Sequence, residues 1–119
     1  MEKVNVYDKL SLFYDYWNPR IVGELNGQYV KLAKFQGEFV WHSHQEEDEL
    51  FYVLEGEFTM EFRDKSVLLT KGDFLIVPHG VEHRPVAEHE VSIMLIEPVT
   101  TRNTGDTTND LTRETLEKI

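Results

Sequence analysis

At 119 residues, with 22 acidic side chains against 12 basic ones and a formal charge of −10, the chain can fill one hydrophobic core behind a surface that repels polyanions. Hydrophobic residues make up 40%, including seven Phe, five Tyr and two Trp, which excludes a disordered chain. Cys is absent, so disulfides and thiolate metal sites are excluded and any metal must take nitrogen and oxygen ligands.

The first eight residues hold no apolar leader, no run of eighteen apolar residues follows, and no basic cluster marks a nucleic-acid surface. The expectation is a cytoplasmic protein with no membrane and no nucleic-acid partner. Leu10, Phe13, Tyr14 and Trp17 then recur at helical spacing behind Asp8, a favourable cap, until Asn18-Pro19 stops the pattern. That predicts a short N-terminal helix.

From residue 28 short apolar runs alternate with turn residues, predicting strands at 28–35, 39–44, 49–55, 57–62, 67–70, 74–77, 82–86 and 91–97. The breaks fall at Gln36-Gly37, 45–48, Gly56, Arg63-Asp64-Lys65, Lys71-Gly72-Asp73, 78–81 and 88–90. This spacing leaves no room for crossover helices and predicts an all-β sandwich or barrel. Beyond Pro98 the chain turns polar. The expectation there is a surface loop, with Leu111, Leu116 and Ile119 docking weakly at most.

Residues 41–57, WHSHQEEDELFYVLEGE, crowd two histidines and four acids against an apolar block. On a strand, residues two apart share a face at roughly 6.6 Å, so His42 and His44 point the same way. Glu49 is an odd five residues past His44, so an unbroken strand would turn it to the opposite face. A turn at 45–48 resets the direction and lets Glu49 face the histidines, with Phe51 and Val53 behind it. A charged turn feeding a buried strand and an ion-binding cluster both fit these residues.

The wider spacing reads Gly37, four residues, His42-x-His44, four residues, Glu49, six residues, Gly56. Later come Gly72, five residues, Pro78-x-Gly80, two residues, His83. These two segments resemble the paired motifs of a small single-domain cupin, over about residues 28–97. One residue is missing between Gly37 and His42, and Ala87 stands where the second motif has asparagine. The resemblance implies a jelly-roll barrel (a double-stranded β-helix) with the short helix ahead of it. It implies one domain over 1–119, with a barrel core at 28–97, an N-terminal segment at 1–27 and a polar tail at 98–119. It also implies that His42, His44, Glu49 and His83 ligate one divalent transition metal, and this donor set suits Fe, Mn, Ni, Co or Zn.

Other residues carry lesser expectations. His79 and His89 read as exposed, and Glu46, Glu47 and Asp48 fall outside the motif spacing. Arg84 points away from the cluster by parity, while Phe58, Met60 and Phe62 should join Phe51 and Val53 inside the barrel. The stretch 49–55 is apolar on both faces at Leu50, Tyr52 and Leu54, so it needs a second cover. The N-terminal segment, with Phe13 and Trp17, can supply that cover. Similar small cupins usually pair, and the expectation is a homodimer.

Three function classes follow. Resemblance to mannose-6-phosphate isomerase-like cupins implies a metal-dependent isomerase on a small sugar-like substrate, although no Arg or Lys cluster for a phosphate stands near the motifs. An Fe(II) dioxygenase or metal-dependent lyase would use the same ligands. A non-catalytic binding or sensor module is the third reading, and an entirely apolar pocket would favour it. The fold hosts many chemistries and selects none. No residue of the sequence identifies a general base.

Overall fold

The computed structural model describes residues 1–119. Asn26-Gly27 is a two-residue hairpin signal, because a type I′ turn needs positive φ at both positions. These residues take φ of 48° and 77°. They join β1 (Arg20–Leu25) to β2 (Gln28–Glu38) as an antiparallel pair. β1 is absent from the strands expected from apolar patterning. Gly23 and the charged Arg20 and Glu24 thin its apolar run, and the turn dipeptide was the usable signal.

Five strands follow: β3 (Glu49–Glu55), β4 (Glu57–Phe62), β5 (Ser66–Thr70), β6 (Phe74–Val77) and β7 (His83–Pro98). The hydrogen-bonded order is β1-β2-β7-β3-β6, while β4 pairs with β5 and with β7. β7 is the hub of the sheet. One edge runs antiparallel to β2 along most of its length; the other pairs first with β4 and then with β3. The sheet thereby folds over onto itself, giving the expected all-β jelly-roll architecture.

Two expected strands, 82–86 and 91–97, are one strand that passes through the exposed Glu88, His89 and Glu90. The break expected at Gln36-Gly37 is a register shift inside β2, between Phe35 and Gly37. Such an irregularity bends a strand without ending it. The strand expected at 39–44 contracts to a single bridge between His42 and His83. Two backbone hydrogen bonds make it, His42 to His83 at 3.1 Å and the reverse at 2.9 Å.

The interior is apolar over most of its depth. Phe51, Val53, Phe58, Met60, Leu69, Val91 and Ile93 are buried there, as the alternation predicts, whereas Phe62 is only partly buried at the margin. The N-terminal segment departs from its predicted helix. α1 spans Val6–Leu10, and its cap is Asn5, whose side chain accepts from the Tyr7 and Asp8 amides. Leu10 and Phe13 then cover Leu32 and Leu54 on the outside of the sheet. Trp17, at φ 60°, turns inward and stacks against Phe35 and Phe39, with ring centroids 4.3 and 4.8 Å away. A continuous helix would put Phe13 and Trp17 on one face, but the two aromatics pack on opposite sides of the sheet. The sheet overrides the local pattern.

The tail is also more than a surface loop. Thr101 and Thr104 are buried, Leu111 packs against the barrel core, and Ile119 N–H bonds to Ile21. Gly105 lies so close to the preceding chain that a Cβ there would sit 2.1 Å from the Ser43 carbonyl oxygen. The tail therefore lies directly against the segment carrying His42 and His44. No helix is long and apolar enough to cross a membrane.

Candidate metal centre

The four motif residues arrive from three parts of the chain. His42 and His44 sit on the extended segment after β2, Glu49 begins β3, and His83 begins β7. The bridge between His42 and His83 brings two imidazoles together, with ring centroids 4.3 Å apart. The bends at 45–48 return the chain so that Glu49 faces them, as the parity argument requires. All four are buried, at 1–4% exposure, and one donor atom from each lies within 4.8 Å of the others.

Tautomers follow from the partners. Nδ1 of His42 is 2.9 Å from the Val40 carbonyl, and Nδ1 of His83 is 2.8 Å from the Val81 carbonyl. A carbonyl only accepts, so each Nδ1 carries a hydrogen and Nε2 is the ring nitrogen left facing the cluster. His83 Nε2 lies 3.2 Å from Glu49 Oε1. His44 Nε2 lies 2.9 Å from the same oxygen without hydrogen-bond alignment, and neither ring nitrogen of His44 has a hydrogen-bond partner.

Electrostatics favours that state. Burial, and then the neighbouring His83, push the His42 pKa down to about 4, so it is neutral at pH 7. Burial would raise Glu49, but its close neighbours Glu97, His44 and His83 outweigh it and hold the carboxyl well below its usual range. A carboxylate and converging lone pairs, shielded from water, repel one another unless a cation lies between them. The donor set therefore fits a divalent metal ion.

Two residues at this centre escaped the sequence reading. Glu97, 2% exposed, is raised well above the usual carboxyl range by burial and by the Glu49 charge. Lys31, 1% exposed, lies 2.6 Å from Glu97 through its Nζ. The available signal was parity: Glu97 shares the inward face of Val91, Ile93 and Leu95.

A cavity of about 30 Å³ adjoins the cluster, lined by Trp17, Phe35, Phe39, Phe51 and Leu95 together with His42, Glu49, Glu97 and Asn103. It has room for on the order of one or two waters. No Lys or Arg lines it. Nor is it entirely apolar, and Glu97 is its one ionisable wall group besides His42 and Glu49.

The remaining candidates lie elsewhere. Asp48 bonds to the exposed His79, Glu47 to Thr100, and Glu46 and His89 are exposed. Arg84 turns outward to Glu61 and stands over Trp41.

A β-sheet folded over onto itself around a buried three-histidine, one-carboxylate cluster defines the class. Residues 28–97 match the cupin domain family, Cupin_2, and the chain belongs to it. An uncharacterised Bacillus subtilis protein, YdbB, is 47% identical over 64 residues, which is 53% of this chain and 57% of that protein. The chain thus matches little more than half the length of that relative. A cupin-2 domain protein of Shewanella frigidimarina superposes with a TM-score of 0.79 at 47% identity, covering 80% of this chain and 93% of the other. Protein NMB1881 of Neisseria meningitidis gives 0.76 at 33% identity, covering 82% and 99%.

Proposed function

We propose that the chain is a metal-dependent enzyme acting on a small hydroxy-carbonyl molecule, with isomerisation as the reaction. The observation that carries this is the convergence of His42, His44 and His83 on Glu49, with both ring nitrogens of His44 buried and without a hydrogen-bond partner. When bound there, a divalent metal supplies Lewis acidity toward carbonyl and hydroxyl oxygens. The carbonyls of Val40 and Val81 orient two of the imidazoles, and the aromatic wall of Trp17, Phe35 and Phe39 keeps bulk water away from the donors. Glu97, whose carboxyl is raised well above its usual range by burial and by the Glu49 charge, stands beside Glu49 on the same wall. An entirely apolar wall would have favoured a binding module; this acid tips the reading toward an enzyme.

The cavity admits only the reacting end of a small molecule, and it offers a phosphate no cation from the chain. An unphosphorylated substrate therefore fits better than a sugar phosphate. Hydroquinone 1,2-dioxygenase shares the fold with a TM-score of 0.64 at 18% identity, a likeness of fold that carries no chemistry across. Metal analysis of anaerobically purified protein, followed by turnover of small hydroxy-carbonyl compounds with and without oxygen, tests the proposal. Oxygen-independent turnover supports it. Iron-bound, oxygen-consuming turnover would replace it with a dioxygenase, and binding without turnover with a sensor.

We further propose that two copies of the chain pair through the outer face of β3, β6 and β7. Leu10 and Phe13 cover Leu54, but Leu50, Tyr52, Met94 and Ile96 are only partly buried, and Phe74 and Ile76 are 60% and 53% exposed. The strand registers place these six side by side. Sedimentation should give a dimer, and Phe74→Glu/Ile76→Glu should give a monomer. A wild-type monomer at micromolar concentration would refute the pairing.

A further inference from the structure

Lys31 and Glu97 pose a question that the four donors do not answer. The register pairing Leu50 with Ile96 and Phe51 with Leu95 makes Glu97 the inward neighbour of Glu49 across β3 and β7. Like charges directly opposite destabilise a sheet, and these two are buried at 3% and 2% exposure. Lys31 occupies one oxygen, Glu97 Oε1, at 2.6 Å. The other oxygen, Oε2, is buried with no N–H or hydroxyl donor. The polar neighbour that the register sets across from it is the Glu49 carboxyl.

A purely structural role explains this poorly. A buried ion pair is weak evidence for stability, because apolar residues of similar volume commonly replace one without loss. Here the pair instead backs the single carboxylate of the candidate metal centre and lines the same cavity as Glu49 and His42. Glu97 is not among the four residues whose donor atoms lie within 4.8 Å of one another, so it is placed to act through Glu49.

Resting on the metal reading above, we infer that Glu97, fixed by Lys31, is a positioning residue that stands against the Glu49 carboxyl and sets the orientation in which Glu49 holds the metal. Partners one step behind a ligand commonly change metal affinity by about 10–100-fold when removed.

Two near-isosteric double variants test this, Lys31→Met/Glu97→Gln and Lys31→Met/Glu97→Met. Both remove the buried charges, and only the first keeps an N–H able to donate to Glu49. Co(II) is the probe, followed by its visible absorption and by chelator competition, with circular dichroism reporting the fold. The Gln variant should bind Co(II) close to wild type. The Met variant should fold equally well, yet bind about 10–100-fold more weakly with a shifted absorption band. Equal affinity and equal spectra in both would overturn the inference, as would equal weakening in both. Failure of both to fold would make the pair structural and overturn it too. If wild type takes up no Co(II), the metal reading itself fails; if wild type binds and the two variants do not differ, only this inference fails.

Discussion

Three strands build both ends of the barrel interior, and the two ends differ. Along the inward face of β3 the chain reads Glu49, Phe51, Val53; β7 in reverse reads Glu97, Leu95, Ile93, Val91; and β2 reads Lys31, Ala33, Phe35. At one end lie carboxyls, an ammonium and, from the neighbouring segments, three imidazoles. A few residues along, the same faces carry Val53, Ile93 and Ala33, with Phe58 and Met60 of β4 packed beside them. The deep end is a core whose burial drives folding. The polar end is a cluster that burial alone destabilises, so something beyond folding must account for it.

The sharpest break between the two ends comes from deleting a proposed ligand. His44→Ala should remove most bound metal after dialysis at neutral pH, an effect beyond the ~10–100-fold expected of an outer partner. Stability of the metal-free protein should not fall, because the change deletes buried polar atoms that have no partner. Full metal stoichiometry in this variant, measured by elemental analysis, would place the metal elsewhere.

The reciprocal change lies at the deep end. Phe58→Ala, at a side chain 2% exposed, should cost about 3–5 kcal/mol in denaturant unfolding. Metal content per folded molecule should stay at the wild-type level. A matching loss of metal from folded protein would show that the two ends are coupled through Phe35 and Phe51.

Acid should act at the polar end. The folded pKa of His42, about 4, lies below its ordinary 6.5. Between those values the unfolded chain binds more protons, so stability rises with pH, is complete above 6.5, and is lost as pH falls toward 4. The contribution is on the order of 3 kcal/mol in metal-free protein. It should disappear in His42→Ala, and an unchanged slope in that variant would assign the titration to another group.

The smallest effect lies outside both ends. Asn5→Ala removes the cap of α1 and should cost about 1 kcal/mol, leaving metal content untouched. A larger loss would show that Leu10 and Phe13 rely on α1 to cover the sheet.

Much of this arrangement is legible in local sequence. Alternation identifies Phe51, Val53, Phe58 and Met60 as interior, and parity with a turn at 45–48 turns Glu49 toward the histidines. Legibility ends where a local pattern competes with the sheet. Helical spacing from Leu10 to Trp17 was overridden because Phe13 and Trp17 pack on opposite sides of it. The register shift after Phe35 and the bend in β7 disguised long strands as short ones. The tail is polar in composition, and it is held by the hydrogen bonds of the Thr104 hydroxyl to Thr107 and Thr112 and by the close approach of Gly105 to Ser43 rather than by apolar area.

The sequence by itself determined the class of fold, the inward face of β3 and β4, and the four residues that cluster inside the sheet, because period-two alternation and motif spacing are properties of neighbouring residues. Only the tertiary structure decided that Glu97 stands beside Glu49, that Lys31 neutralises the pair, that Trp17 enters the barrel and that the tail lies against His42 and Ser43. Those relations join residues far apart in the chain, from Trp17 and Phe35 to Lys31 and Glu97, which are 66 residues apart. Register is set by the pairing of whole strands, and no local stretch of sequence carries it.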